Sequence, residues 1–181
     1  QTYPNAVLSD YGDKCAVNGF PWGKLFRYHL FEQAGFPENF LFEDTVVHWL
    51  FFRMSRNMAV TDEPGYRYRI NFQGVSYLVS RSARISLDTV WVLEEMLRQR
   101  QALSLPFLVS DTEEFLRHTT VYSYYRISGM EKEIKEAFFV YSIHLMEQYH
   151  LPAITDGAYQ ELYLIYLKKD FGSWNLYCKT H

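Results

Sequence analysis

The side chains best suited to chemistry lie in the first half of the chain. Glu43 and Asp44 are adjacent carboxylates just ahead of an apolar stretch. Such a pair can take a proton from a hydroxyl group. It can equally open a helix, where an acid in the first turn gains about 0.5–2 kcal/mol from the free amides and the dipole. Trp22 and Lys24 stand two apart in Pro21-Trp22-Gly23-Lys24-Leu25-Phe26-Arg27. Trp22 offers a broad aromatic face and Lys24 a compact cation suited to a phosphate or carboxylate. Their plainer roles are a packed indole and a surface ion pair. Arg67 and Arg69 alternate with tyrosines in Tyr66-Arg67-Tyr68-Arg69. Arg69 can reach a diphosphate or simply face solvent. His48 follows Asp44 by four residues, one helical turn on, which is no metal site by itself.

The familiar strong motifs are missing. There is no P-loop, no G-x-G-x-x-G, no G-x-S-x-G, no H-E-x-x-H and no C-x-x-C. There is also no D-x-D pair to hold a divalent metal against a nucleotide diphosphate. Cys15 and Cys178 sit near opposite ends, form no metal or redox spacing, and read as unpaired thiols of a reducing cytoplasm.

The elements that must position these residues follow from composition and periodicity. The chain has 181 residues, 48% of them hydrophobic, and a formal charge of −3. It is long enough for a real core, and it is neither a disordered chain nor a rod. The charge balance argues against a nucleic-acid partner, since phosphate binding needs surplus Lys and Arg. No run approaches the ~18 apolar residues of a membrane helix. The 15 Tyr, 14 Phe and 4 Trp are the unusual feature, suited to cores, clefts and interfaces alike.

Residues 1–80 hold most of the glycines and prolines and read as short elements joined by turns; residues 81–181 read as helices. The periodicity predicts a short helix over 28–34 ended by Gly35, and a helix over 44–56 with Val47, Leu50, Phe51 and Met54 on one face. It predicts strands at 58–61 and 66–70, the second from its period-two alternation. Helices follow from about Ser86, with Leu87, Val90, Leu93 and Leu97 buried, and from a Ser110/Glu113 capping box to about Ile127. Two more are predicted, Glu131 to about Tyr149 and about 156–168. Phe171 to His181 is left as an aromatic-rich tail.

The order Trp22-Gly23-Lys24-Leu25-Phe26-Arg27, Gly35-Phe36-Pro37-Glu38, Glu43-Asp44, Tyr66-Arg67-Tyr68-Arg69 and Ser76 resembles the C-terminal half of a family 2 glycosyltransferase domain. That is the GT-A type that builds bacterial capsule and surface polysaccharides. The resemblance covers roughly residues 15–85. It implies an α+β, predominantly helical chain: residues 1–80 as the acceptor-side portion of a GT-A-like α/β domain, and 81–181 as a helical bundle extension.

It also implies an inverting transfer of sugar from a nucleotide-sugar donor to a saccharide or lipid-linked acceptor. Asp44 would be the catalytic base, kept ionised by the helix start, and Glu43 would orient the acceptor. Trp22 would stack on a sugar, with Lys24 and Arg69 near phosphate. The family's metal-binding D-x-D and its nucleotide-binding half are not in this sequence. No cofactor is therefore expected within the chain, while Mg or Mn with a nucleotide sugar is expected for the complete enzyme. Gln1 as first residue fits a chain cut upstream, inactive alone, whose uncovered face finds a partner, as in a homodimer. The implied location is the cytoplasm, free or at the inner membrane face. The competing reading is a non-catalytic helical interaction module in which the acidic pair only caps a helix.

Overall fold

The computed structural model describes residues 4–74 and 87–181. About 53% of the chain is helical. Strand β1 (Ala6–Leu8) pairs antiparallel with β2 (Met58–Val60), Ala6 opposite Val60 and Leu8 opposite Met58. This is the only sheet among the described residues. The predominantly helical α+β expectation holds at that level. No parallel sheet of the GT-A kind is present among the described residues.

Helix α1 (Tyr11–Cys15) starts at Asp10, whose carboxylate accepts from the amides of Gly12 and Asp13. A single 3-10 turn, Tyr28–Leu30, stands where a helix over 28–34 was expected. Its core-facing residues are few: Leu30 and Ala34 are buried, while Tyr28 and Phe31 stay exposed. Helix α2 comprises a widened stretch, Val47–Phe51, and Phe52–Met54. Val46, Val47, Trp49, Leu50, Phe51 and Phe52 are all buried, so α2 is enclosed on most sides rather than along one stripe.

The expected strand at 66–70 does not form. These residues join no ladder among the described residues. Tyr66 is 54%, Tyr68 56% and Ile70 71% exposed, so the period-two pattern has no buried face. Alternation shows that a segment can be half-buried, not that a partner is there.

The second portion is helical as expected. Helix α3 (Asp88–Ala102) buries Val90, Leu93 and Leu97, with Met96 and Arg100 beside them. Helix α4 runs on through Val109–Arg117, the widened His118–Tyr122, and Ser123–Ile127. Its cap differs from the expected Ser110/Glu113 pair. The Leu108 amide donates to Asp111 Oδ2 at 2.7 Å, so Asp111 closes the first turn. Helices α5 (Lys132–Gln148) and α6 (Gln160–Leu167) follow. The aromatic tail is a helix as well, α7 (Phe171–Thr180), whose start is closed by Asp170 accepting from the Ser173 amide.

One hydrophobic cluster runs from Val17 and Leu30 through α2 to Trp174, joining residues of both portions. Trp174 is fully buried; its indole Nε1 donates to the Tyr166 hydroxyl at 3.1 Å, which also meets Thr119 Oγ1 at 2.8 Å. Much of the aromatic surplus is spent here and around Phe51, which is flanked by Phe26, Phe31 and Phe36.

Candidate functional site

Residues 41–44 form the turn that winds into α2. The amides of Thr45, Val46 and Val47 donate to the carbonyls of Phe42, Glu43 and Asp44 at 3.0, 3.3 and 3.0 Å. Among the described residues no side-chain hydrogen bond caps α2, the Asp44 carboxylate included. It engages its own amide instead. Glu43 is exposed and Asp44 half-buried. Burial pushes the Asp44 carboxyl above its ordinary value and the Glu43 charge adds to this; its own amide and the charge of Arg126 oppose them. Burial, rather than the helix start, is the largest influence on Asp44. Desolvation wins, and the result is a more basic carboxylate.

The turn is held by the helical portion. The Leu41 amide donates to Asp88 Oδ2 of α3 at 3.0 Å. The Arg126 guanidinium of α4 lies 3.8 Å from the centre of the Phe42 ring. Phe42 has φ 66°, left-handed backbone that is costly for a bulky residue. Neither Asp88 nor Arg126 was singled out from sequence. Each is an ordinary charged residue on a helix, and only the folded chain brings it to the turn.

Trp22 and Lys24 share a loop. Lys24 Nζ donates to Asn18 Oδ1 at 2.8 Å and to the Phe20 carbonyl at 2.7 Å. It therefore clips the loop closed, and burial pulls its pKa below the ordinary lysine value. Trp22 stacks on Phe20, rings 4.2 Å apart, and leans on Tyr68 at 5.0 Å. Gly23 makes the turn between them possible at φ 70°, and a Cβ there would lie 3.5 Å from Tyr66 Cβ. Phe20, Trp22 and Tyr68 thus form an aromatic platform. Arg69 follows Tyr68 and is exposed, with no hydrogen bond or ion pair among the described residues. Ser76 and Ser86 lie outside the described residues.

The loop meets α2 at His48. His48 Nε2 is 3.1 Å from the Val17 carbonyl, and its ring packs on Phe52 and beneath Gly19. Burial lowers its pKa, with Glu114 and the Val17 carbonyl opposing. His48 is a packing and anchoring residue joining the platform loop to the helix that Asp44 precedes. Behind it lies a buried charge cluster that sequence reading missed. Asp111 takes Arg53 Nη2 at 2.6 Å and Arg100 Nη1 at 2.6 Å, and the Arg53 guanidinium covers the Tyr11 ring at 3.4 Å.

Among the described residues no grouping of His, Cys, Asp and Glu can hold a metal. The donor set for the divalent ion implied by the resemblance is thus not formed by these residues, and no step is assigned to it. What the site offers is a basic, half-buried carboxylate at a strained turn, a neighbouring guanidinium, and an aromatic platform on an adjoining loop. Comparisons with protein-family models, with curated proteins and with solved structures find no match to this chain.

Proposed function

We propose that this chain is the acceptor-side portion of an inverting, family 2-like glycosyltransferase, with Asp44 as its base. The observation that carries the reading is Asp44 itself. Its carboxylate is spared from capping and its proton affinity is raised by burial, at the position where the ordered motif set puts the base. In the reaction, the acceptor O–H proton passes to Asp44. The acceptor oxygen bonds to the anomeric carbon as the bond to the leaving diphosphate breaks with its electron pair. Glu43, exposed beside the base, orients the acceptor. Trp22, on its platform with Phe20 and Tyr68, stacks on a sugar ring. Arg69 is free in geometry to meet phosphate, while Lys24 serves by shaping the Trp22 loop. The donor nucleotide and its Mg or Mn belong to a separate nucleotide-binding portion.

The experiment is a comparison of two proteins. The 181-residue chain alone releases no nucleoside diphosphate from a panel of nucleotide sugars; the chain joined to its nucleotide-binding portion does. A coding sequence with no D-x-D ahead of residue 1, or metal-dependent turnover by the chain alone, would overturn the proposal.

A second reading is favoured by one observation. Leu25, Tyr28, Tyr66, Tyr68 and Ile70 are exposed on the first portion, apolar side chains available to a partner. In that reading the chain is an interaction module that pairs with a second copy. Light scattering that gives twice the chain mass supports it, and a monomer at all concentrations counts against it.

A further inference from the structure

The turn that carries Glu43 and Asp44 is held in an unfavourable backbone conformation from outside. Phe42 sits at φ 66°, where its Cβ crowds its own backbone. Strain of this kind persists only where surrounding contacts over-determine it. Among the described residues two such contacts come from the helical portion. Asp88 of α3 takes the Leu41 amide. Arg126 of α4 covers the Phe42 ring at 3.8 Å, close enough for a full cation–π contact. Arg126 Nε also donates to the Tyr125 hydroxyl at 2.7 Å. Its charge also acts on Asp44, where it opposes the effects of burial and of Glu43.

We propose that Arg126 is a positioning residue for this site: its guanidinium holds Phe42 in the left-handed turn and so fixes the direction in which Asp44 is presented. The proposal rests on the reading of Asp44 as the base, but it concerns the geometry of the turn and is tested without turnover. It makes the helical portion part of the site rather than an appendage to it. The acceptor would meet a carboxylate from the first portion whose direction and charge are set by the second.

The test uses the 181-residue chain labelled at Asp Cγ and at backbone nitrogen, followed by NMR across a pH titration. The groups acting on Asp44 are Glu43, its neighbour in the turn, and Arg126 of α4. In Arg126→Met, the Asp44 carboxyl titrates at higher pH than in the parent, and the amide signals of residues 41–45 move. In Arg126→Lys the charge is kept but the flat stacking surface is lost. The Asp44 titration then returns most of the way while the turn amides stay displaced. Phe42→Gly relieves the left-handed strain, so adding Arg126→Met to it moves the turn amides less than in the parent. If Arg126→Met does not fold, Arg126→Lys decides alone, by whether its turn amides are displaced. Turn amides that stay in place in Arg126→Met overturn the proposal, whether or not the Asp44 titration moves. Loss of the base reading would show instead as normal transfer by an Asp44 variant, a separate outcome.

Discussion

His118 supplies the best-defined perturbation in the molecule. It lies in the widened stretch of α4, 8% exposed, and its Nε2 has no hydrogen-bond partner among the described residues. Its ring meets Tyr122 edge-on at 5.9 Å. Burial pushes its pKa down to about 3, helped by the charges of Arg126, Arg117 and His48. In the unfolded chain a histidine titrates near 6.5. Above that pH both states are neutral there and His118 contributes no pH dependence. As pH falls below about 6.5, only the unfolded state takes the proton, so stability is lost through the window down to about 3. Each unit costs about 1.4 kcal/mol, which makes the loss about 2–3 kcal/mol near pH 4.5. His118→Phe keeps the ring, removes the unpartnered nitrogen and abolishes this loss. Urea denaturation of both proteins at about pH 7 and about pH 4.5 reads the difference. The parent should fall relative to the variant by about 2–3 kcal/mol. Parallel pH dependence in the two proteins would refute the reasoning.

Other outcomes follow from the same contacts. Asp111→Asn leaves the buried guanidiniums of Arg53 and Arg100 without their shared charge and lowers stability by about 3–5 kcal/mol near neutral pH, read by calorimetry. Although burial alone would raise the Asp111 pKa, Arg100, the Leu108 amide and Arg53 together hold it below the ordinary value. Its contribution is therefore full above about pH 4 and fades as pH falls through the lower folded value. Tyr166→Phe strands the Trp174 indole N–H, while the Thr119 hydroxyl keeps the Phe115 carbonyl at 2.9 Å, costing about 1–3 kcal/mol in the same measurement. Tyr68→Ala uncovers one side of Trp22 and changes the protein's tryptophan fluorescence with little change in melting temperature, because Tyr68 is already 56% exposed.

The helices were legible because their patterns report burial directly. Val90, Leu93 and Leu97 recur at helical spacing and all face the core. The helix at 171–180 was missed although Asp170 and Ser173 stand at capping distance, because its aromatic content carried no clear stripe. The segment 66–70 differs for another reason: alternation is a local signal, but a ladder needs a partner, and these residues pair with no strand among the described residues. The site divides in the same way. Asp44, Trp22 and Lys24 stood out by type and spacing. Arg126, Asp88 and Asp111 did not, since each acts across long separations that no local pattern encodes. The sign of the Asp44 shift was likewise hidden, because burial at a turn depends on what packs over it.

The central claim is that Asp44 removes the acceptor proton. Its most direct test is sugar transfer by the enzyme containing this chain and its nucleotide-binding portion, compared with its Asp44→Asn variant. The account predicts that transfer is lost while the melting temperature is nearly unchanged, because Asp44 caps no helix. Transfer by the variant at the parent's rate would contradict it.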